Sequence, residues 1–199
     1  RNRVIKLDTI NRLAELLKIS PLSLLGIGVE YYSRPIGYQE RLRQMEETAD
    51  QILQVDGPLC YLTTSENYDR VLASAFDEAA DDAPDPMAAR AAAEQVLGIL
   101  AARKRMYAMR KPGIIAIVAM SRLRALVTDG IARGIALSER GRRLCRDVAM
   151  AEVENIATLM ETEPMGLQFG LLPSGEPTTR FQILRDRDRA SLAINGYQA

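Results

Sequence analysis

Residues 114–119 read IIAIVA, directly after Lys-Pro-Gly at 111–113, and no other stretch limits the fold as much. The run is too short for a helix core, is rich in β-branched residues and is bounded by strong helix breakers, which marks it as a buried strand. A strand of this kind needs others to pair with and helices to cover it. The segment before it supplies one helix: 87–109 is Ala-rich and opens after DDAPDP at 81–86, a polar break with two prolines. Before that break, Ser65 opens SENYDRVLASAFDEAA, where Tyr68, Val71, Leu72, Ala75 and Phe76 recur at helical spacing.

The same reading extends along the chain. YQERLRQMEETADQIL at 38–53 places Leu42, Met45, Ala49, Ile52 and Leu53 on one stripe and predicts an amphipathic helix. GPLCYLTT at 57–64 predicts a short strand. SRLRALV suits a short helix and IARGIAL fits neither period, whereas 138–160 predicts a long helix with Leu144, Cys145, Val148, Ala151, Ile156, Leu159 and Met160 on one face. The tail turns to strands at 165–173, 178–186 and 190–196, and the separators SGEP and RDRDR suggest adjacent antiparallel hairpins. The body, 38–199, is therefore expected to be α/β or α+β, with a mixed sheet of about five strands flanked by helices. IGVEYYSRPIG at 27–37 changes composition and reads as a linker, so the expected division is 1–27, 28–37 and 38–199.

Composition narrows the chemistry. The sequence has no histidine, which removes Ser-His-Asp and Cys-His catalysis and most catalytic zinc sites. Cys60 and Cys145 lie far apart in apolar contexts and are expected to be buried, reduced thiols. No GxGxxG, GxxxxGK[ST] or GxSxG motif occurs, so neither a cofactor nor a metal is expected. Lys plus Arg equals Asp plus Glu at 26 each, so any contact with nucleic acid must be local. No apolar run reaches the roughly 20 residues of a membrane span and no signal-peptide pattern opens the chain; no membrane partner and a cytoplasmic location are the expectations.

At the front, Asp8 suits an N-cap and Ile10, Leu13, Ala14, Leu16 and Leu17 give one apolar face, predicting a helix over 9–19. Ser20 and Pro21 open a second short helix that runs through Leu22, Leu24 and Leu25 into Gly26. Together NRVIKLDTINRLAELLKISPLSLLG resembles the last third of an Xre/Cro-like helix-turn-helix domain, the phage-repressor type of bacterial transcription regulator, on its "LxxLAxxLxIS" core and final "LL". A second, weaker similarity links Gly170-Leu171-Leu172-Pro173 and Phe181-Gln182-Ile183-Leu184 to the C-terminal domains behind such heads in actinobacterial and proteobacterial regulators.

The resemblance implies the remnant of an all-α DNA-binding head, with the groove-entering helices expected ahead of Arg1, and a body that dimerises or senses a ligand. It implies a DNA-binding transcription regulator, not an enzyme, whose partners are DNA, a second copy of itself and, as an open alternative, a small-molecule effector. Arg1, Asn2, Arg3 and Lys6 would lie after the recognition helix and touch backbone phosphates. Arg122 and Arg124, just past the carboxyl end of the 114–119 strand, are the candidates for an anionic effector. Helix 87–109 is either a dimer surface or core, and Arg140, Arg142, Arg143 and Arg146 are expected to pair with acids or with a partner. The competing class is an enzyme acting on a nucleotide or phosphoester through Arg and Asp/Glu residues.

Overall fold

The computed structural model describes residues 6–17, 21–24, 30, 32, 35–55, 57–162, 165–175 and 177–195. Its backbone contacts separate two units, Arg1–Tyr38 and Gln39–Ala199. The first holds α1 (Leu7–Leu17), α2 (Pro21–Leu24) and the start of α3 (Pro35–Glu46). The carbonyl of Lys6 accepts from the amides of Thr9 (3.0 Å) and Ile10 (3.2 Å), so α1 begins before its expected cap, and Asp8 sits in the first turn, where its charge suits the helix dipole. Pro21 takes the first position of α2, as expected. Ser20 and Gly26, named as cap and stop, lie outside the described residues. Helix α3 starts at Pro35, inside the predicted linker of 28–37.

The second unit continues with β1 (Gln51–Val55), a 3-10 turn at Tyr61–Thr63, α4 (Glu66–Asp81), α5 (Pro86–Arg110), β2 (Gly113–Ala119), α6 (Met120–Asp129), α7 (Glu139–Thr162), β3 (Leu167–Leu172), β4 (Arg180–Arg185) and β5 (Ala190–Asn195). The fold is mixed α+β around a five-stranded sheet in the order β3-β2-β1-β4-β5. Strands β1, β2 and β3 run parallel, and β4 and β5 add as an antiparallel hairpin on the other side of β1.

Local chemistry explains the elements that match expectation. The Ser65 hydroxyl accepts from the Tyr68 amide at 3.3 Å and starts α4; the Asp85 carboxylate accepts from the Ala88 amide at 3.0 Å and starts α5 with Pro86 at its first turn. Lys111 closes α5 in the left-handed region, at φ 46°, before Pro112 and Gly113 release the chain into β2.

Three expectations are overturned. The helix predicted over 38–53 ends at Glu46, and Gln51–Val55 is a strand held between Ile114 and Leu184 at Ile52, so pairing on both sides overrides the helical spacing. The strand predicted at 57–64 is the loop and 3-10 turn that lead from β1 to α4. Finally, β3 and β4 do not form a hairpin. β3 pairs in parallel with β2 at one edge, while β4 lies beyond β1.

This order decides how the sheet is covered. The chain steps from β1 to β2 to β3 in one direction, and parallel crossovers are right-handed, so α4–α5 and α6–α7 fall on the same face. Contacts of α4 with α5 and α7, and of α6 with α7, make them one layer. On that face Ile52, Ile114, Ala116, Val118, Leu167 and Leu184 are buried. Their neighbours in sequence point the other way, where Val55 and Ala119 at the carboxyl ends of β1 and β2 are buried but Leu53, Ile115, Ile117, Phe181 and Ile183 are only half-buried. Within the Gln39–Ala199 unit the crossover helices α4 to α7 thus lie on one face of the sheet.

Candidate functional site

In sheets with parallel strands the carboxyl ends are where side chains from different elements converge. Here the chain leaves β1, passes Cys60, turns through Tyr61–Thr63 and enters α4 at Ser65. Tyr61 donates its hydroxyl to Asp69 Oδ1 at 2.9 Å, and Lys104 on α5 donates to Asp69 Oδ2 at 2.7 Å and to the Ser65 carbonyl at 3.1 Å. The same ammonium stands 4.7 Å from the Tyr61 ring centroid and 5.6 Å from that of Tyr68, and the two rings meet edge-to-face at 5.9 Å.

Next to it, Arg103 is buried and donates Nε and Nη2 to both Glu46 oxygens at 2.8 and 2.7 Å, with Nη1 on Gln39 Oε1 at 2.7 Å. Burial works against the guanidinium charge, yet the Glu46 carboxylate holds its pKa above the ordinary value. On the other side, Glu152 of α7 is 1% exposed and accepts from the Ser65 amide at 3.1 Å, from the Ser65 hydroxyl and from Asn155 Nδ2 at 3.3 Å. Burial and then Asp69 raise the Tyr61 hydroxyl well above its ordinary range; burial likewise pushes Tyr68 up to about 12 and the Cys60 thiol up to about 11. The cluster ties α3, α4, α5 and α7 together with each charged group held by a neighbour.

A second polar feature opens at the amino end of β1. A cleft of about 490 Å³ is lined by Thr48, Asp50, Arg110 and the β4–β5 turn, Asp186 to Arg189. Arg110 donates to the Glu47 carbonyl and to Asp50 Oδ1 at 3.4 Å, and Asp186 Oδ1 accepts from the Asp188 and Arg189 amides at 3.0 and 2.8 Å. Acids and arginines alternate around it, so it favours neither sign of ligand.

Of the residues singled out from sequence, Arg1, Asn2 and Arg3 lie outside the described residues, and Lys6 is exposed just before α1. Arg122 is half-buried in the first turn of α6, directly after β2, and Arg124 is exposed two positions on, so helix geometry turns them to different faces. Arg142 and Arg146 share Glu139, at 3.0 and 3.4 Å, and chiefly Arg142 holds that carboxyl below its ordinary pKa. Asp77 and Asp81, near the end of α4, hold Arg90. Cys60 and Cys145 are buried and unbridged.

Sequence reasoning missed the Tyr61–Asp69–Lys104 group and Glu152. The signal for Glu152 lies in α7 itself: the buried stripe is Cys145, Val148, Ala149, Glu152 and Ile156, with a carboxylate amid the apolar positions, while Leu144, Ala151 and Met160 of the predicted stripe are exposed.

Among the described residues no set of three or more Cys, Asp or Glu side chains gathers as a metal site, and no helix is long and apolar enough to cross a membrane. Compared with known protein-family models, curated proteins and solved structures, the chain matches none.

Proposed function

We propose that this chain is part of a bacterial DNA-binding transcription regulator of the Xre/Cro type, in which the Gln39–Ala199 unit serves dimerisation and effector sensing. The observation that carries the reading is the condition of α1: Leu7, Leu13, Leu16 and Leu17 are 68%, 42%, 77% and 55% exposed while Ala14 is 3% exposed. An amphipathic helix with that much bare leucine needs a partner surface. In an Xre/Cro-like head the helices that carry the recognition element would supply it, and Leu13, Leu16 and Leu17 are among the residues that carry the resemblance. On this reading Lys6, exposed at the entry to α1, is one of the side chains that would touch backbone phosphates.

The regulator reading is preferred over a nucleotide- or phosphoester-directed enzyme because the charged groups at the carboxyl end of β1 hold one another rather than an open space. The test is binding of the full-length gene product to DNA from upstream of its own gene, followed by fluorescence anisotropy. Specific binding at least about 10³-fold tighter than to random DNA, lost in Leu13→Asp and Leu16→Asp, supports the reading. Equal affinity for both DNAs overturns it.

A further inference from the structure

Among the described residues of the Gln39–Ala199 unit the second face of the sheet carries no crossover helix, which is unusual for a sheet with three parallel strands, because such strands are ordinarily covered on both sides. Leu53 of β1, Ile115 and Ile117 of β2, Ile183 of β4 and Leu192 and Ile194 of β5 all lie on it, the last two 60% and 55% exposed. At β4 and β5 the cross-strand pairs Ile183–Leu192 and Phe181–Ile194 continue the apolar surface to the sheet edge. We propose that this face is an interface between two copies of the chain, packed sheet against sheet.

Two features choose a second copy over other occupants. The first is charge. The strand positions on this face carry a single charged side chain, Arg185, at one corner opposite Gln51. A two-fold pairing brings a face against itself, so one corner charge can stay at the wet rim while the uncharged centre is buried. The whole chain also has equal numbers of acids and bases, so copies carry no net repulsion. An anionic membrane would call for a ring of cations that the face lacks.

The second is size. Five strands at ~4.8 Å spacing and six residues at ~3.3 Å give about 475 Å² in projection on each copy, before the corrugation of side chains is added. That approaches the ~600 Å² per partner at the lower limit of stable specific interfaces, and sheets stack face to face at ~10 Å without rearrangement. The structure therefore fits a reversible dimer rather than an obligate one. The inference does not rest on the regulator reading, since a dimer that binds no operator would still bear it out.

Sedimentation of the intact chain from about 1 to about 200 µM tests it, because self-association responds to concentration by mass action. The wild type is expected to pass from monomer to dimer in this range. Leu192→Glu and Ile183→Lys are expected to weaken the dimer at least tenfold, and Ala92→Glu, on the exposed side of α5, to leave it unchanged. Far-UV circular dichroism checks that each variant is folded. For a route free of charge insertion, a spin label at Leu192→Cys in the otherwise cysteine-replaced chain should give a short inter-copy distance at high concentration that vanishes on dilution. A chain that stays monomeric throughout, a monomer that instead adsorbs to phosphatidylcholine vesicles, or a dimer broken by Ala92→Glu and untouched by Leu192→Glu would overturn the proposal.

Discussion

On the helix-lined face of the sheet Ile52 and Ala116 have no solvent exposure, whereas on the opposite face Leu192 and Ile194 are more than half exposed. Both faces come from the same strands, with side chains alternating between them, and both are apolar. The difference lies in the connections. A doubly wound sheet covers its second face by reversing direction and sending helices to the other side. This chain reverses with the β4–β5 hairpin instead, which contributes strands and no helix. An apolar strand pattern thus tells how much surface wants cover, and the order of connections tells where the chain supplies it.

The sharpest way to break this contrast is a charge on each face. Ile52→Asp places an unpaired carboxylate in a fully buried site and is expected to abolish folding, whereas Leu192→Asp is expected to leave a folded monomer with nearly native circular dichroism. Equal damage from both would mean that the second face is covered too. Next in size is the polar layer above the covered face. Glu46→Ala strands the buried Arg103 guanidinium and should cost about 3–5 kcal/mol in urea unfolding, while the double change Glu46→Leu, Arg103→Met should recover most of the loss.

Ser65→Ala removes both the cap of α4 and the hydroxyl that Glu152 holds, for about 2 kcal/mol. A pH effect of similar size follows from Cys60. Its pKa is raised by burial to about 11, so the fold favours the neutral thiol; stability is full below the ordinary thiol range near ~8.5 and falls as pH climbs toward about 11, by on the order of 3 kcal/mol. Cys60→Ala should flatten that part of the profile, and native Cys60 should react slowly with a thiol reagent at mild pH. The smallest effect is expected on the open face, where Leu192→Ala changes monomer stability by less than about 0.5 kcal/mol.

Much of the covered side was legible in the residues themselves. Ser65, the Asp85-Pro86 pair and Lys-Pro-Gly at 111–113 are local signals, and they place α4, α5 and β2 where they occur. β1 was hidden because QILQV is short and its apolar residues also satisfy a helical spacing begun at Leu42; only its partners on both sides settle it as a strand. The position of β3 was hidden for a related reason. SGEP suggests a hairpin, but the residues that hold β3 are on β2, a whole crossover earlier. Glu152 was legible only as an anomaly, a carboxylate at the buried spacing of α7, since its donors come from the distant Ser65 turn. One-sided cover could not be read from any period, because it follows from the order of strands in space.

Methyl NMR of the dilute chain with a soluble nitroxide tests the central claim most directly, by measuring how strongly solvent relaxes each side of the same strands. The structure predicts strong broadening at Leu192 and Ile194, intermediate broadening at Ile115, Ile117 and Ile183, and little at Ile52, Ile114, Val118 and Leu184. Equal protection of the two sets at a concentration where the chain is monomeric would contradict a sheet covered on one face alone.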